Sequence, residues 1–244
     1  MFKFILLILF VLCTANLVAA QNQFETDSIT TTSGDLKISF IGHGTLIFTF
    51  NEKIMHLDPY GSLADYSTLP KADIILITHE HGDHFDLKAI EIMRTEKTSL
   101  VLTENCAKDI SGGIVMKNGD IQTVQGIKIE AVPAYNIVHK RDNGEPFHPQ
   151  GIGNGYIITF GDKRVYVAGD TENIPEMAEL GKIDIAFLPM NLPYTMIPEM
   201  VADAAKMIKP QILYPYHYGN TNTSKLMELL KDDKDIEVRI RKME

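Results

Sequence analysis

Cysteine is nearly absent. The 244 residues contain two, Cys13 and Cys106, and the first falls in a segment expected to be removed. One remaining thiol closes no internal disulfide and builds no sulfur-rich zinc site. Stability must come from a hydrophobic core, and any metal must be held by imidazole and carboxylate. Runs of Lys and Arg are absent too. Twenty-three basic residues against 32 acidic ones give a net charge of −9. Such a chain has no general attraction for phosphate backbones, and no basic cluster stands out, so no nucleic-acid partner is expected. The sequence also lacks repeats, low-complexity tracts and a convincing linker. Apolar content of 45% and charged content of 23% are those of an ordinary globular protein.

The N-terminus is a separate matter. "MFKFILLILFVLCTANLVAA" carries one basic residue, Lys3, then an apolar run from Phe4 to Cys13, and ends on small side chains. This is the layout of a secretory signal peptide over residues 1–20, cut after Ala20. The run is shorter than the ~20 apolar residues of a membrane-spanning helix, so no stable span is expected after cleavage. An uncleaved anchor is the alternative. The bulky Leu12 before Cys13 argues against a lipoprotein. Loss of Lys3, with no acid beside it, takes the net charge from −9 to −10. The mature chain is expected to be exported, to the periplasm or the medium.

Residues 21–34 are polar and read as a leader to one domain over 35–244. Short apolar runs follow, split by turn residues: "LKISFIG", "TLIFTF", "KIMHLDP", with "FNEK" as a hairpin turn. "ADIILITH" is continuously apolar, as in a strand buried on both faces. "DLKAIEIMRTEK" has helical spacing, with Leu87, Ile90 and Met93 on one side. "SLVLT", "IQTVQGIKIEAVPA", "YIITFGDKRVYVAG", "DIAFLP" and "QILYPYH" read as strands. "ENCAKDI" reads as a helical turn, "IPEMVADAAKMIKP" and "TSKLMELLKD" as helices, and "IEVRIRK" as a closing strand. Strands and helices mixed throughout indicate an α/β domain, with sheets between helical layers.

The chemistry concentrates in "THEHGDHFD". Three of the eight histidines fall at positions 79, 81 and 84, which argues against a solvated loop that is His-rich by chance. His79 and His81, two apart in an extended segment, point to one side and can share an ion. Gly82 permits a bend, after which Asp83 and His84 can turn toward a second ion. Imidazole mixed with carboxylate suits zinc, and also iron or manganese. Four side chains cannot close two coordination spheres. Asp170 in "VYVAGDTE", His217 in "ILYPYHYGN" and His148 in "EPFHPQGIGNGY" are further candidates, the first two directly after apolar strands. A carboxylate at Asp170 can bridge two cations. Ligands gather at the carboxyl ends of strands in α/β folds.

HxHxDH, then His, then GDT, then a late His resembles the metallo-β-lactamase fold superfamily. "FIGHGTLIF", "HLDP", "VPAYN", "FHP", "PYTM" and "YPYHYGN" extend the likeness to its small UlaG-like metal-dependent hydrolases, over about residues 36 to 220. The resemblance implies a four-layer αββα sandwich and a dinuclear site. In that arrangement His79, His81 and His148 hold one metal, Asp83, His84 and His217 the other, and Asp170 bridges. His139 competes with His148 for its place, and only the "FHP" context favours His148. His43 and Asp58 are expected beside the metals, orienting ligand imidazoles. His56 is read as structural.

Two divalent ions, zinc first with Mn2+ or Fe2+ as alternatives, can share a bridging water and lower its pKa toward ~7. Asp83 would orient it and accept its proton. The resemblance, with GDT intact, points away from β-lactams toward phosphodiesterases, lactonases and thioesterases. The short region after residue 222 leaves no room for a thioesterase's added helical domain. The expected substrate is thus a small-molecule lactone, ester or phosphodiester, with Asn136 and Tyr194 as candidate contacts. The alternatives are a non-catalytic periplasmic metal- or ligand-binding protein of the same fold, and iron-based redox chemistry.

Overall fold

The computed structural model describes residues 24–244. The signal-peptide reading of residues 1–20 lies outside the described residues.

Two seven-stranded sheets make up the centre of the fold, in the order β1 to β7 and β14 to β8. In the first, β1 (Glu25–Thr31), β2 (Gly34–Gly42), β3 (Thr45–Phe50) and β4 (Lys53–Leu57) run antiparallel. β5 (Ile74–Leu76), β6 (Ser99–Leu102) and β7 (Ile114–Val115) then add parallel to β4. The second half repeats the plan. β8 (Ile121–Val124), β9 (Ile127–Ala134), β10 (Gly153–Phe160) and β11 (Lys163–Val167) are antiparallel. β12 (Ile185–Pro189), β13 (Ile212–Tyr216) and β14 (Glu237–Val238) follow parallel to β11. The sequence shows no repeat, but the backbone is built twice.

Alternation explains how the sheets meet. Leu36, Ile38 and Phe40 of β2 point inward, as do Leu46 and Phe48 of β3. They meet the second sheet directly: Phe48 lies 5.5 Å from Phe160, and Phe40 lies 5.1 Å from Tyr214 between ring centres. β5 is buried on both faces, as its unbroken apolar run predicts. Ile74 and Leu76 enter the core between the sheets. Ile75 and Ile77 enter an outer cluster with Leu100 and Leu102 and with Ala89, Ile90 and Met93 of α1 (Leu87–Met93). On the other outer face lie α2 (Pro198–Ile208), packed near β12, and α3 (Thr223–Leu229). The result is the expected αββα sandwich.

Turn chemistry sets the register. Asn51 and Glu52 both adopt positive φ, 47° and 63°, the two-residue turn that suits a hairpin's right-handed twist. α2 ends where Lys209 turns left-handed, just before Pro210.

Three readings need correction. Residues 25–31, taken as part of a polar leader, form an edge strand with seven paired positions on β2. Leu87 is solvent-facing and Ala89 takes its place on the buried side, because Asp86 caps the helix and starts it at Leu87. The closing strand is only Glu237–Val238. Beyond it the side chains of Arg239 and Arg241 reach Asp27 of β1, while the Arg239 N–H still donates to the Leu213 carbonyl.

Candidate metal centre

All but one of the candidate ligands sit where a strand of one sheet or the other gives out. Asp58 follows β4, the His cluster follows β5, Asp170 follows β11 and His217 follows β13. His43 occupies the turn between β2 and β3, and His148 the long loop between β9 and β10. The backbone is bent hard to bring them together. His43, Asp58 and His217 all adopt positive φ, at 49°, 45° and 48°, a conformation that costs a non-glycine residue roughly 1 kcal/mol or more. Gly169 must lack a side chain, because a Cβ there would lie 2.9 Å from the Asn154 carbonyl.

Two sets of ligand atoms converge, joined by a third group of His79, His84 and Asp170. His79, His81 and His148 form one group, and Asp83, His84 and His217 fall in another together with His43. Asp170 faces both. Its Oδ2 is 3.3 Å from His148 Nε2, 3.5 Å from His217 Nε2 and 4.0 Å from His79 Nε2. Its Oδ1 is 3.5 Å from His84 Nε2. Asp83 Oδ2 is 3.8 Å from His84 Nε2 and 3.7 Å from His217 Nε2. Two tetrahedral ligands about 2.1 Å from one ion stand roughly 3.4 Å apart, so these spacings fit.

The inner ring nitrogens are otherwise unused. Nε2 of His79, His84, His148 and His217, and Oδ1 of Asp170, are buried with no hydrogen-bond partner. Their outer nitrogens are held. Asp58, fully buried, accepts from the Thr78 backbone N–H, the Thr78 hydroxyl and His84 Nδ1 at 2.8, 2.6 and 2.9 Å. The same hydroxyl lies 3.0 Å from His79 Nδ1. One carboxylate thus aims an imidazole of each set. Asn136 Oδ1 accepts from the backbone and Nδ1 of His148, both at 2.8 Å. With Nδ1 so engaged, Nε2 is left to bind an ion.

The charges invite a cation. Burial alone would lower the His84 imidazole, but Asp170, Asp58 and Asp83 outweigh it and raise its pKa to about 9. His79, further from the acids' pull, is held well below the usual range by burial and the imidazoles of His84, His148 and His81. Burial would raise Asp170, yet His217, His84 and His148 bring it well below the usual carboxylate range.

The remaining sequence readings fall as follows. His148 enters the cluster and His139 does not; His139 Nδ1 instead donates to Glu172 at 2.6 Å. Asp58 contacts His84 directly and reaches His79 through the Thr78 hydroxyl. His43 donates from Nε2 to Asp83 Oδ2 at 2.9 Å, and its ring lies 3.6 Å from that of His217. It therefore steadies a carboxylate and packs on an imidazole. His56 is fully buried against the Pro70 carbonyl. Asn136 is not open to a substrate. It is buried, and its amide also donates to Glu172 and to the Tyr194 carbonyl. Tyr194 is nearly half exposed and lines a cleft of about 450 Å³ over the site, with Asp83, Asp170 and His217 in its wall. Sequence reasoning missed Thr78, Glu172 and Asn191, whose amide lies 3.5 Å from His217 Nδ1.

Residues 37–217 match the family model of a β-lactamase superfamily domain. A UPF0173 metal-dependent hydrolase of Thermococcus kodakarensis is 34% identical over 201 residues, covering 75% of this chain and 85% of its own length. One from Nanoarchaeum equitans is 32% identical over 191 residues, covering 75% and 84%. A crystal structure from Parabacteroides distasonis, assigned as a metal-dependent hydrolase, has a TM-score of 0.87 at 52% identity, covering 91% of this chain and 100% of that one. Igni18, a metallo hydrolase of Ignicoccus hospitalis, has a TM-score of 0.70 at 25% identity, covering 86% and 96%. With a His and Asp cluster that could hold a metal at its sheet ends, the chain belongs to the β-lactamase superfamily, among its UPF0173 metal-dependent hydrolases.

Proposed function

We propose that the protein hydrolyses a small-molecule lactone, ester or phosphodiester at a centre of two divalent ions, zinc ahead of manganese or iron. The observation that carries this reading is the set of buried, unpartnered ligand atoms on His79, His84, His148, His217 and Asp170. Each would cost about 1–3 kcal/mol if left unsatisfied. Their number exceeds what one tetrahedral ion takes. In the proposed arrangement His79, His81 and His148 hold one ion, Asp83, His84 and His217 the other, and Asp170 lies between them.

Bound ions would polarise the attacked oxygen and make a water nucleophilic near neutral pH. The chain's own residues do the rest. Among Asp58, Asp83 and Asp170, Asp83 is the most exposed, at 37% of its side chain, and faces the cleft. His43 engages its Oδ2, leaving Oδ1 to accept a proton from the attacking water. Asp58 holds His84 directly and His79 through Thr78, so neither ring can rotate as charge develops. Tyr194 stands edge-on to Phe147, with ring centres 5.1 Å apart; this pair would wall the substrate from bulk water. Export remains part of the proposal, on the pattern of Met1–Ala20. No helix among the described residues is long and apolar enough to cross a membrane.

Protein recovered from outside the cytoplasm should begin at Gln21 by mass. Loaded with zinc or manganese, it would be offered a phosphodiester, a lactone, a simple ester and a β-lactam. About two ions per chain and turnover of one class, falling at least about a hundredfold in Asp170→Asn, are expected. Turnover indifferent to chelators or to Asp170→Asn would overturn the reading. Two bound ions with no turnover of any class would favour a metal- and ligand-binding role.

A further inference from the structure

We infer that the substrate carries an oxyanion, a carboxylate or a phosphate, away from its scissile bond, and that Arg141 binds it at the mouth of the metal cleft. This rests on the hydrolytic reading of that cleft. The chain has five arginines. Arg164, Arg239 and Arg241 are paired with carboxylates. Arg94 donates to the carbonyls of Ser111 and Gly112. Arg141 has no such partner among the described residues. Its guanidinium makes a single long hydrogen bond, 3.4 Å, to the Phe147 carbonyl.

Arg141 is nonetheless held in place. Its backbone N–H donates to the Glu145 carbonyl at 2.8 Å, and its own carbonyl accepts from Gly144 at 2.9 Å. Lys140 and Pro146 pair across the neck of this small loop. The guanidinium carbon lies 5.0 Å from the centre of the Phe147 ring, which itself rests on Tyr194. All three side chains line the cleft that holds His148 and Asp170, and Arg141 is its one permanently cationic side chain. The acids of its own loop leave it free. Glu145 accepts from the Asn143 amide, and Asp142 forms no ion pair among the described residues.

The chemistry follows from that placement. A guanidinium stacked on an aromatic ring keeps its N–H edge for a ligand, and its donors match two oxygens of a carboxylate or phosphate. The chain is otherwise acidic, and its other arginines are spent internally. A cation left unpaired beside a site built from carboxylates is matched only when a ligand brings negative charge. The catalytic groups hold the reacting end, whereas Arg141 stands on the rim, so the anion lies at the far end of the substrate.

Matched p-nitrophenyl esters test this, one neutral, one with a carboxylate tail and one with a phosphate tail. They would be given to the metal-loaded protein and to its Arg141→Gln and Arg141→Lys variants. The wild type should favour an anionic tail by about tenfold or more in kcat/KM. Arg141→Gln should erase that ratio, chiefly through KM, and Arg141→Lys should restore part of it. The tail that wins separates carboxylate from phosphate. Calorimetric binding of succinate and of inorganic phosphate to the same proteins gives a readout independent of turnover. One of the two should bind about tenfold more weakly to Arg141→Gln, at unchanged metal content. If neither these esters nor the lactone, phosphodiester and β-lactam of the wider panel are cleaved but this Arg141-dependent binding remains, the hydrolytic reading fails and the oxyanion site stands. Equal use of all tails by the wild type, or a Gln variant that keeps both preference and affinity, would overturn the oxyanion site.

Discussion

Glu172 accepts hydrogen bonds from the backbone N–H groups of Ile137, Val138 and His139, from the His139 ring and from the Asn136 amide. Burial would raise its carboxyl, but these donors outweigh burial and hold it below the usual range. Asn136, so fixed, grips His148. Glu172 thus acts on a candidate ligand that it never touches. Glu172→Gln replaces one acceptor oxygen by an amide that faces N–H donors. The affinity for the ion at the His148 set should fall about 10- to 100-fold, and that at the His84 and His217 set should hold. A two-step metal titration against a competing chelator reads the difference; equal weakening of both steps would contradict it. The candidate ligands are legible in sequence because His and Asp are scarce and spaced for the task. Glu172 is not, since one Glu among 32 acids carries no mark until the fold brings residues 136 to 139 against it. Asn136 shows the opposite failure: its polarity is visible, but not that both polar atoms of its side chain are already engaged.

At the scale of elements, β1 and the C-terminal tail are the instructive pair. "ETDSITT" has a single apolar residue and reads as a leader. An edge strand needs only its backbone ladder and a few inward side chains, so hydrophobic pattern cannot reveal it. One of those side chains is Asp27, which accepts from the Tyr214 hydroxyl and from both Arg241 Nη2 and Arg239 Nη1. Burial would raise the Asp27 carboxyl, but Tyr214 and Arg241 outweigh it and lower its pKa below 3.8. Folded, it binds fewer protons than unfolded. Its contribution is therefore fully present above the unfolded pKa of about 3.9 and is lost as pH falls through the folded value. Asp27→Asn should lower the thermal midpoint at pH 7 and leave it with a shallower decline between about pH 5 and pH 3 than the wild type shows. Parallel declines in calorimetric scans would remove Asp27 from the acid response. The central strands were legible because double burial forces continuous apolar runs. β14 was overread because Arg239 and Arg241 keep the alternating pattern after the ladder has ended.

At the scale of the molecule, the candidate centre lies on the seam between two halves of like plan. The first half brings His79, His81, Asp83 and His84, and the second brings His148, Asp170 and His217. A metal held there would tie one sheet to the other, and its affinity would add to folding stability. At a thousandfold excess over its dissociation constant one ion contributes about 4 kcal/mol, which for a chain of this size is roughly 10 °C. Chelation should lower the thermal midpoint by about that much, and zinc should restore it. A midpoint indifferent to chelator would mean that the metal does not span the seam.

Residues 241–244 reach back to β1 and to the turn after β2. Met243 is fully buried, its carbonyl accepts from the Tyr218 N–H, and the Glu244 carbonyl accepts from the His43 N–H, while Arg241 grips Asp27. A growing chain makes β1 and the His cluster early, but the residues of 241–244 that pack against Asp27, His43 and Tyr218 emerge about two hundred residues later than β1. The contacts that back the turn at His43 and the loop at His217 are thus completed only after residues 241–244 have been made. A chain threaded out of the cell before folding would leave empty and collect its metal only at its destination. The ions available in that compartment, and not those of the cytoplasm, would then decide which metal the enzyme carries.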